Sequence, residues 1–190
     1  MYFPTLSASG FVLVRTRLWT LKPVCGQERM AVIPNGAGGT NLFAGTAGGG
    51  VFLSTNNGTN WTAVNNGLTN LQVRALAVSP NGAGGTNLFA GTYGGGVFLS
   101  TNNGTSWTAT GLTNRNVSAL AARGTNLFVG TAGGVFLSTN NGTSWTATGL
   151  TNPGVESFAI SGTNLFAGTW GHGVWRRPIS DIINAAKGVQ

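Results

Sequence analysis

The string Gly-Thr-Asn-Leu-Phe occurs four times, starting at Gly39, Gly85, Gly124 and Gly162. Successive starts lie 46, 39 and 38 residues apart. A second string, Ser-Thr-Asn-Asn-Gly-Thr-x-Trp, starts at Ser54, Ser100 and Ser138. Repetition at a period of about 40 residues means one structural unit copied along the chain, each copy burying its apolar faces against its neighbours. The longer first interval has a visible cause. Residues 80–84 are an inserted turn, Pro-Asn-Gly-Ala-Gly, that the units at Arg123 and Ser161 do without, and the same insert at 34–38 precedes the first unit.

Each unit reads as four short strands. In the second unit these are 73–79, 87–92, 97–101 and 106–110. The first strand recurs at 117–122, at 155–160 and in part at 30–33. Apolar residues alternate with small or polar ones, and turn signals recur every 8–12 residues, which is a β pattern. Composition agrees: 32 Gly, 25 Thr and 20 Asn make up about two fifths of the chain. Charged residues are 7%, far below the roughly 25% of an average globular protein. That excludes a charged helical bundle. The 41% of hydrophobic residues and six Trp exclude ordinary charged disorder. Four strands at this period match a β-propeller blade better than a β-helix coil.

The second string resembles the Asp-box, the bacterial neuraminidase repeat Ser-x-Asp-x-Gly-x-Thr-Trp. Its positions are Ser54, Asn56, Gly58 and Trp61, then Ser100, Asn102, Gly104 and Trp107, then Ser138, Asn140, Gly142 and Trp145. The family's Asp is Asn in all three copies. An Asn side chain still accepts hydrogen bonds from backbone N–H groups in a turn, and the glycine still takes positive φ. The resemblance implies an all-β chain of Asp-box propeller blades, like the non-catalytic sialidase-like and photosystem II assembly factor-like repeats. It implies that the box is a structural turn and that ligands meet the opposite face. The expected organisation is a non-repeat segment over 1–29, then blades over 30–66, 72–110, 116–148 and 154–178, then a short helix or tail over 179–190. The last blade has three strands and no box. Nearly four blades is fewer than family propellers usually have, so the expectation is an incomplete, open array. A closed ring would need residues 11–21 as the missing strand. In the predicted helix Ser180 is the N-cap candidate and Gly188 the stop.

The net charge is +7, but most of it lies outside the repeats. The body from 30 to 175 holds only Arg74, Arg115 and Arg123 against Glu156. No basic stripe is present, so nucleic acid is not an expected partner. Cys25 is the single cysteine and His172 the single histidine, so neither a disulfide framework nor a transition-metal site is expected. No cofactor is expected. No apolar run approaches the roughly 18 residues of a membrane span. The start of the chain has no recognisable signal peptide, and an extracellular or cell-surface location rests on the resemblance alone. The Gly runs at 48–50 and 94–96 lack the Gly-Lys-Ser/Thr ending of a phosphate loop and read as hairpins.

The family includes sialidases, whose sites need three arginines, a Tyr and acids. This chain has only Tyr2, Tyr93, Glu28, Glu156 and Asp181 for such roles, and its arginines do not fall at equivalent blade positions. The expectation is therefore a non-enzymatic binding module for a glycan or a protein. The alternatives are an assembly or stability factor docking on another protein, or a fragment of a larger sialidase-like propeller. Comparing the copies locates the candidate face. The box turns scarcely vary, whereas the opposite face carries Tyr93, Trp170 and His172 in the hairpins and Gln72, Arg115 and Asn116 in the connectors. Uncovered blade edges at the ends of an open array offer a route to self-association. A far-UV circular dichroism spectrum of the chain should be dominated by β signal. A spectrum dominated by helix would overturn the reading of the repeat.

Overall fold

The computed structural model describes residues 29–35, 39–150 and 154–187. The strand expected at 11–21 and the stop at Gly188 lie outside the described residues. The first sheet holds β1 (Arg29–Pro34), β2 (Thr40–Thr46), β3 (Gly50–Ser54) and β4 (Thr62–Ala63). The second holds β5 (Val73–Pro80), β6 (Thr86–Thr92), β7 (Gly96–Ser100) and β8 (Thr108–Ala109). The third holds β9 (Val117–Arg123), β10 (Asn126–Thr131), β11 (Gly134–Ser138) and β12 (Thr146–Ala147). The fourth has three strands, β13 (Val155–Ser161), β14 (Asn164–Thr169) and β15 (Gly173–Pro178), followed by α1 (Ile179–Lys187). Every sheet is an antiparallel meander in chain order. Among the described residues the chain is all-β apart from one short helix, and its four sheets form an open, propeller-like array.

The sheets stack face to face in sequence order. Each has a leading face toward the preceding sheet and a trailing face toward the next. Where β1, β5 and β9 pass one another on the inside, the trailing face of one sheet meets the leading face of its successor. Three apolar clusters fill the three seams. The first joins Ala31, Ile33, Phe43 and Val51 to Val73, Leu88, Ala90 and Phe98. The second joins Ala77, Phe89 and Val97 to Val117, Leu127 and Val129. The third joins Phe128, Val135 and Leu137 to Val155, Leu165 and Ala167. The repeated Leu-Phe pair is thus explained. Alternation along a strand sends Leu to one seam and Phe to the other.

The Gly after Leu-Phe-Ala/Val is a notch. A Cβ on Gly45 would lie 2.5 Å from Cγ1 of Val73, and one on Gly130 would lie 2.7 Å from Cγ1 of Val155. Gly91 faces Val117 in the same way. Each glycine leaves the space that the first valine of the next sheet occupies.

Three details differ from the sequence reading. The fourth strands are two residues long, because the box turn consumes the rest of the segment. The three box tryptophans are not equivalent. Trp107 is buried in the first seam and its Nε1–H donates to the Val64 carbonyl across it at 2.7 Å. Trp145 reaches the second seam half-buried, and Trp61 has no preceding sheet to enter. Both donate Nε1–H to the carbonyl of their own box glycine, Gly142 and Gly58. Finally, α1 starts at Ile179, directly after Pro178, so Ser180 lies inside the first turn and its hydroxyl donates to Asp181 rather than capping. The helix stands where the fourth sheet lacks a box. Its Ile179 and Ile182 enter the third seam in place of a tryptophan. Arg177 Nη1 donates to the Thr148 carbonyl at 3.0 Å.

Removing the one fully seam-packed indole should cost most. Trp107→Ala should destabilise the chain by about 3–5 kcal/mol in urea unfolding, the usual range for a buried aromatic. Trp61→Ala should cost less than half of that, and equal losses would contradict the seam assignment. Gly91→Ala should cost about 1–3 kcal/mol through overpacking against Val117.

Candidate functional site

The two rims of the array are built differently. On the box rim the turn satisfies itself. In the second sheet the Ser100 hydroxyl accepts from Gly104 N–H at 2.8 Å and donates to Asn102 Oδ1 at 2.9 Å, which also accepts from Ser106 N–H at 2.9 Å. Ser54 with Asn56 and Ser138 with Asn140 repeat the pattern. Asn103 and Gly104 both take the left-handed conformation, at φ 54° and 79°. The amide oxygen supplies what a carboxylate would, so the exchange of Asp for Asn leaves the turn intact.

On the opposite rim hairpins are tied to neighbouring connectors, the second sheet's to the connector on either side. Gly48 N–H and Gly50 N–H both donate to the Leu71 carbonyl, and Ala47 bridges to Gln72. The Gln72 carbonyl accepts from Tyr93 N–H at 2.9 Å, and Asn70 Nδ2 donates to the Tyr93 carbonyl at 2.9 Å. The Arg115 carbonyl accepts from Gly96 N–H at 3.0 Å. Connector and hairpin therefore form one rigid surface.

The structure gathers Gln72, Tyr93, Arg115 and Asn116 around the hairpin of the second sheet. Tyr93 is 44% exposed, with the Arg74 guanidinium 4.4 Å from its ring centroid. Arg115 stacks in turn over Phe136 at 4.8 Å. Asn116 is exposed beside Gly94. Trp170 and His172 are not part of this group. They sit on the hairpin of the fourth sheet, with the third sheet's Ala132 between. Trp170 is 77% exposed and its backbone N–H donates to the Gly154 carbonyl at 2.8 Å. His172 Nδ1–H donates to the Trp170 carbonyl at 2.8 Å, which fixes the tautomer of the neutral ring and braces the loop. The indole face is left bare.

The sequence reading missed Arg74, Ser118 and Glu156. Each sits at a break in register at the start of the innermost strand: between Val73 and Ala75, between Val117 and Ala119, and between Val155 and Ser157. Bulges of this kind re-aim a side chain at the edge of a sheet. Ser118 and Glu156 line a central cavity of about 190 Å³ together with Arg29. Arg74 turns outward to Tyr93 instead. The signal was in the repeat: at the second position of these aligned strands the residue runs from Arg to Ser to Glu.

A cavity of about 300 Å³ lies in the third seam between Leu150, Leu165, Trp175 and Ile182. Trp175 holds the register position of Phe98 but is 49% exposed, and the cavity is a packing gap between it and α1. The two described acids are also apart. Glu156 lines the central cavity and Asp181 lies on α1.

The stacked pair is exposed, so Arg74→Ala should cost at most about 1 kcal/mol in urea unfolding. A larger loss would show that the guanidinium holds the rim together rather than orienting one ring.

The family profile of the DUF6242 beta propeller domain matches residues 22–170. Among solved structures, an ancestral GH74 enzyme is 24% identical, with a TM-score of 0.62 over 80% of this chain and 22% of its own. The computationally designed Ika4 protein is 13% identical, with a TM-score of 0.62 over 83% of this chain and 94% of its own. YCF48 from Cyanidioschyzon merolae is 16% identical, with a TM-score of 0.56 over 84% of this chain and 56% of its own. At these identities the likeness shows the fold alone. The chain spans about a fifth of the length of the GH74 enzyme. No curated protein matches.

Proposed function

The chain belongs to the DUF6242 β-propeller family, and on that premise we propose that it is a non-enzymatic recognition module that binds glycans on its hairpin-and-connector rim. The observation that carries this reading is Trp170. It holds a 77% exposed indole on a loop fixed by two hydrogen bonds. A large aromatic surface left in water on a rigid loop is costly unless something stacks on it. Tyr93 repeats the arrangement on the second sheet, with polar Gln72, Arg115 and Asn116 around it. An apolar platform edged by hydrogen-bonding groups suits the two faces of a sugar ring.

The rims divide the labour. The Ser–Asn–Gly–Trp turns act as Asp-box turns in their structural role, because the Ser hydroxyl and the first Asn amide oxygen of each box are spent within its own turn. The chain acts outside the cell or on its surface, where glycans are met. No helix among the described residues is long and apolar enough to cross a membrane. The spread of the two aromatic groups over sheets two apart also suits a second reading, docking on another protein as an assembly or stability factor.

A glycan array probed with the full chain, Tyr93→Ala and Trp170→Ala decides between them. The parent should bind a restricted glycan set, and Trp170→Ala should weaken binding about tenfold, near 1.4 kcal/mol. An array blank with the parent, or binding unchanged in both variants, would overturn the glycan reading in favour of a protein ligand.

A further inference from the structure

The three seams define what a leading face and a trailing face require, and each end of the array holds one such face with nothing against it among the described residues. On trailing faces Phe43, Phe89 and Phe128 are fully buried, as are Val51 and Val97, with Val135 3% exposed. The equivalents in the fourth sheet are Phe166, half-buried, and Val174, 72% exposed. On leading faces Leu88 and Leu127 are fully buried and Leu165 nearly so, with Val78 and Leu76 packed beside Leu88. The equivalents in the first sheet are Leu42, half-buried, Val32 at 53% and Met30 at 57% exposure. Register fixes these equivalences: Met30 pairs with Ala44 as Leu76 pairs with Ala90, and Gly168 pairs with Val174 as Gly91 pairs with Val97.

We propose that a second copy of this chain covers both faces, head to tail, with the Phe166–Val174 face of each copy packed on the Met30–Val32–Leu42 face of the other. The occupant is argued from the seam itself. A leading face of Leu, Val and Phe is met three times in this chain by a trailing face of Ala, Phe, Val and Leu, and the spare trailing face repeats the Ala, Phe and Val as Ala159, Phe166 and Val174, with exposed Arg176 at the rim position of Leu53, Leu99 and Leu137. The two faces differ, so the contact is heterologous and must close as a ring or run on as a filament. Two copies double four sheets to the top of the range of about four to eight blades that propellers use. Three copies would exceed it. Apolar faces of this kind otherwise draw unspecific association.

Sedimentation of the full chain at high micromolar concentration tests this, with two variants that each disable one face. Val32→Glu alters only the first sheet's leading face and Val174→Arg only the fourth sheet's trailing face. Both side chains are exposed in the single chain, so each variant should keep the parent's β spectrum and melting temperature under dilute conditions. The parent should sediment at twice its 19.4 kDa, and each variant alone at the mass of one chain. An equimolar mixture of the two should regain dimer through the one seam that stays intact, with a weaker dissociation constant than the parent. A monomeric parent would overturn the proposal, because it would mean that the chain covers its own faces. So would dimers that survive both substitutions. A mixture that stays monomeric would overturn the head-to-tail arrangement.

Discussion

Three times along this chain a valine methyl lies where a glycine has left room for it. Val73 meets Gly45, Val117 meets Gly91 and Val155 meets Gly130. A single added carbon at any of these glycines would force adjacent sheets apart. Everything else in the seams follows from that approach. The leucines and phenylalanines of strands β2, β6, β10 and β14 are close enough to interlock only because the inner strands touch. The apolar clusters are inter-sheet clusters, and no sheet has a core of its own. A sheet with only one neighbour is therefore half as well supported as a sheet with two, which explains the loss of burial toward both ends.

The repeat made the strands legible because each seam imposes the same alternation on each copy. Leu-Phe and Val-Phe-Leu-Ser recur for the same reason that their side chains are buried. The less legible features depend on partners that a single copy does not contain. Whether a box tryptophan is buried depends on the sheet before it, so strings that differ only at Asn60 and Ser106 place Trp107 inside and leave Trp61 half in water. The two-residue fourth strands follow from the box claiming its own backbone bonds. The start of α1 at Ile179 reflects Pro178, whose fixed φ suits a helix entrance, more than the nearby serine. The bulges at Arg74, Ser118 and Glu156 are a matter of register, which alternation alone does not reveal.

The candidate site shows the same division. Tyr93, Gln72, Arg115 and Asn116 were predictable as neighbours, because connectors and hairpins share a rim. Their holding together by backbone bonds, and the guanidinium over the tyrosine ring, come from the fold. The rim is rigid where hairpins bond to connectors, the second sheet's hairpin to two of them. Chemistry varies there at little cost to the seams, which is why the repeats differ at the rim and hardly at all in the boxes.

Backbone amide exchange along the array tests the central claim, that the seam is the unit of stability. It should be followed on dilute protein, so that association does not contribute. Amides of β6 and β10, in sheets with a seam on both sides, should exchange slowest and through opening of the whole array. Amides of β2 and β14, in sheets with one seam, should exchange measurably faster. Equal protection across all four strands, or slowest exchange in an end sheet, would contradict the account.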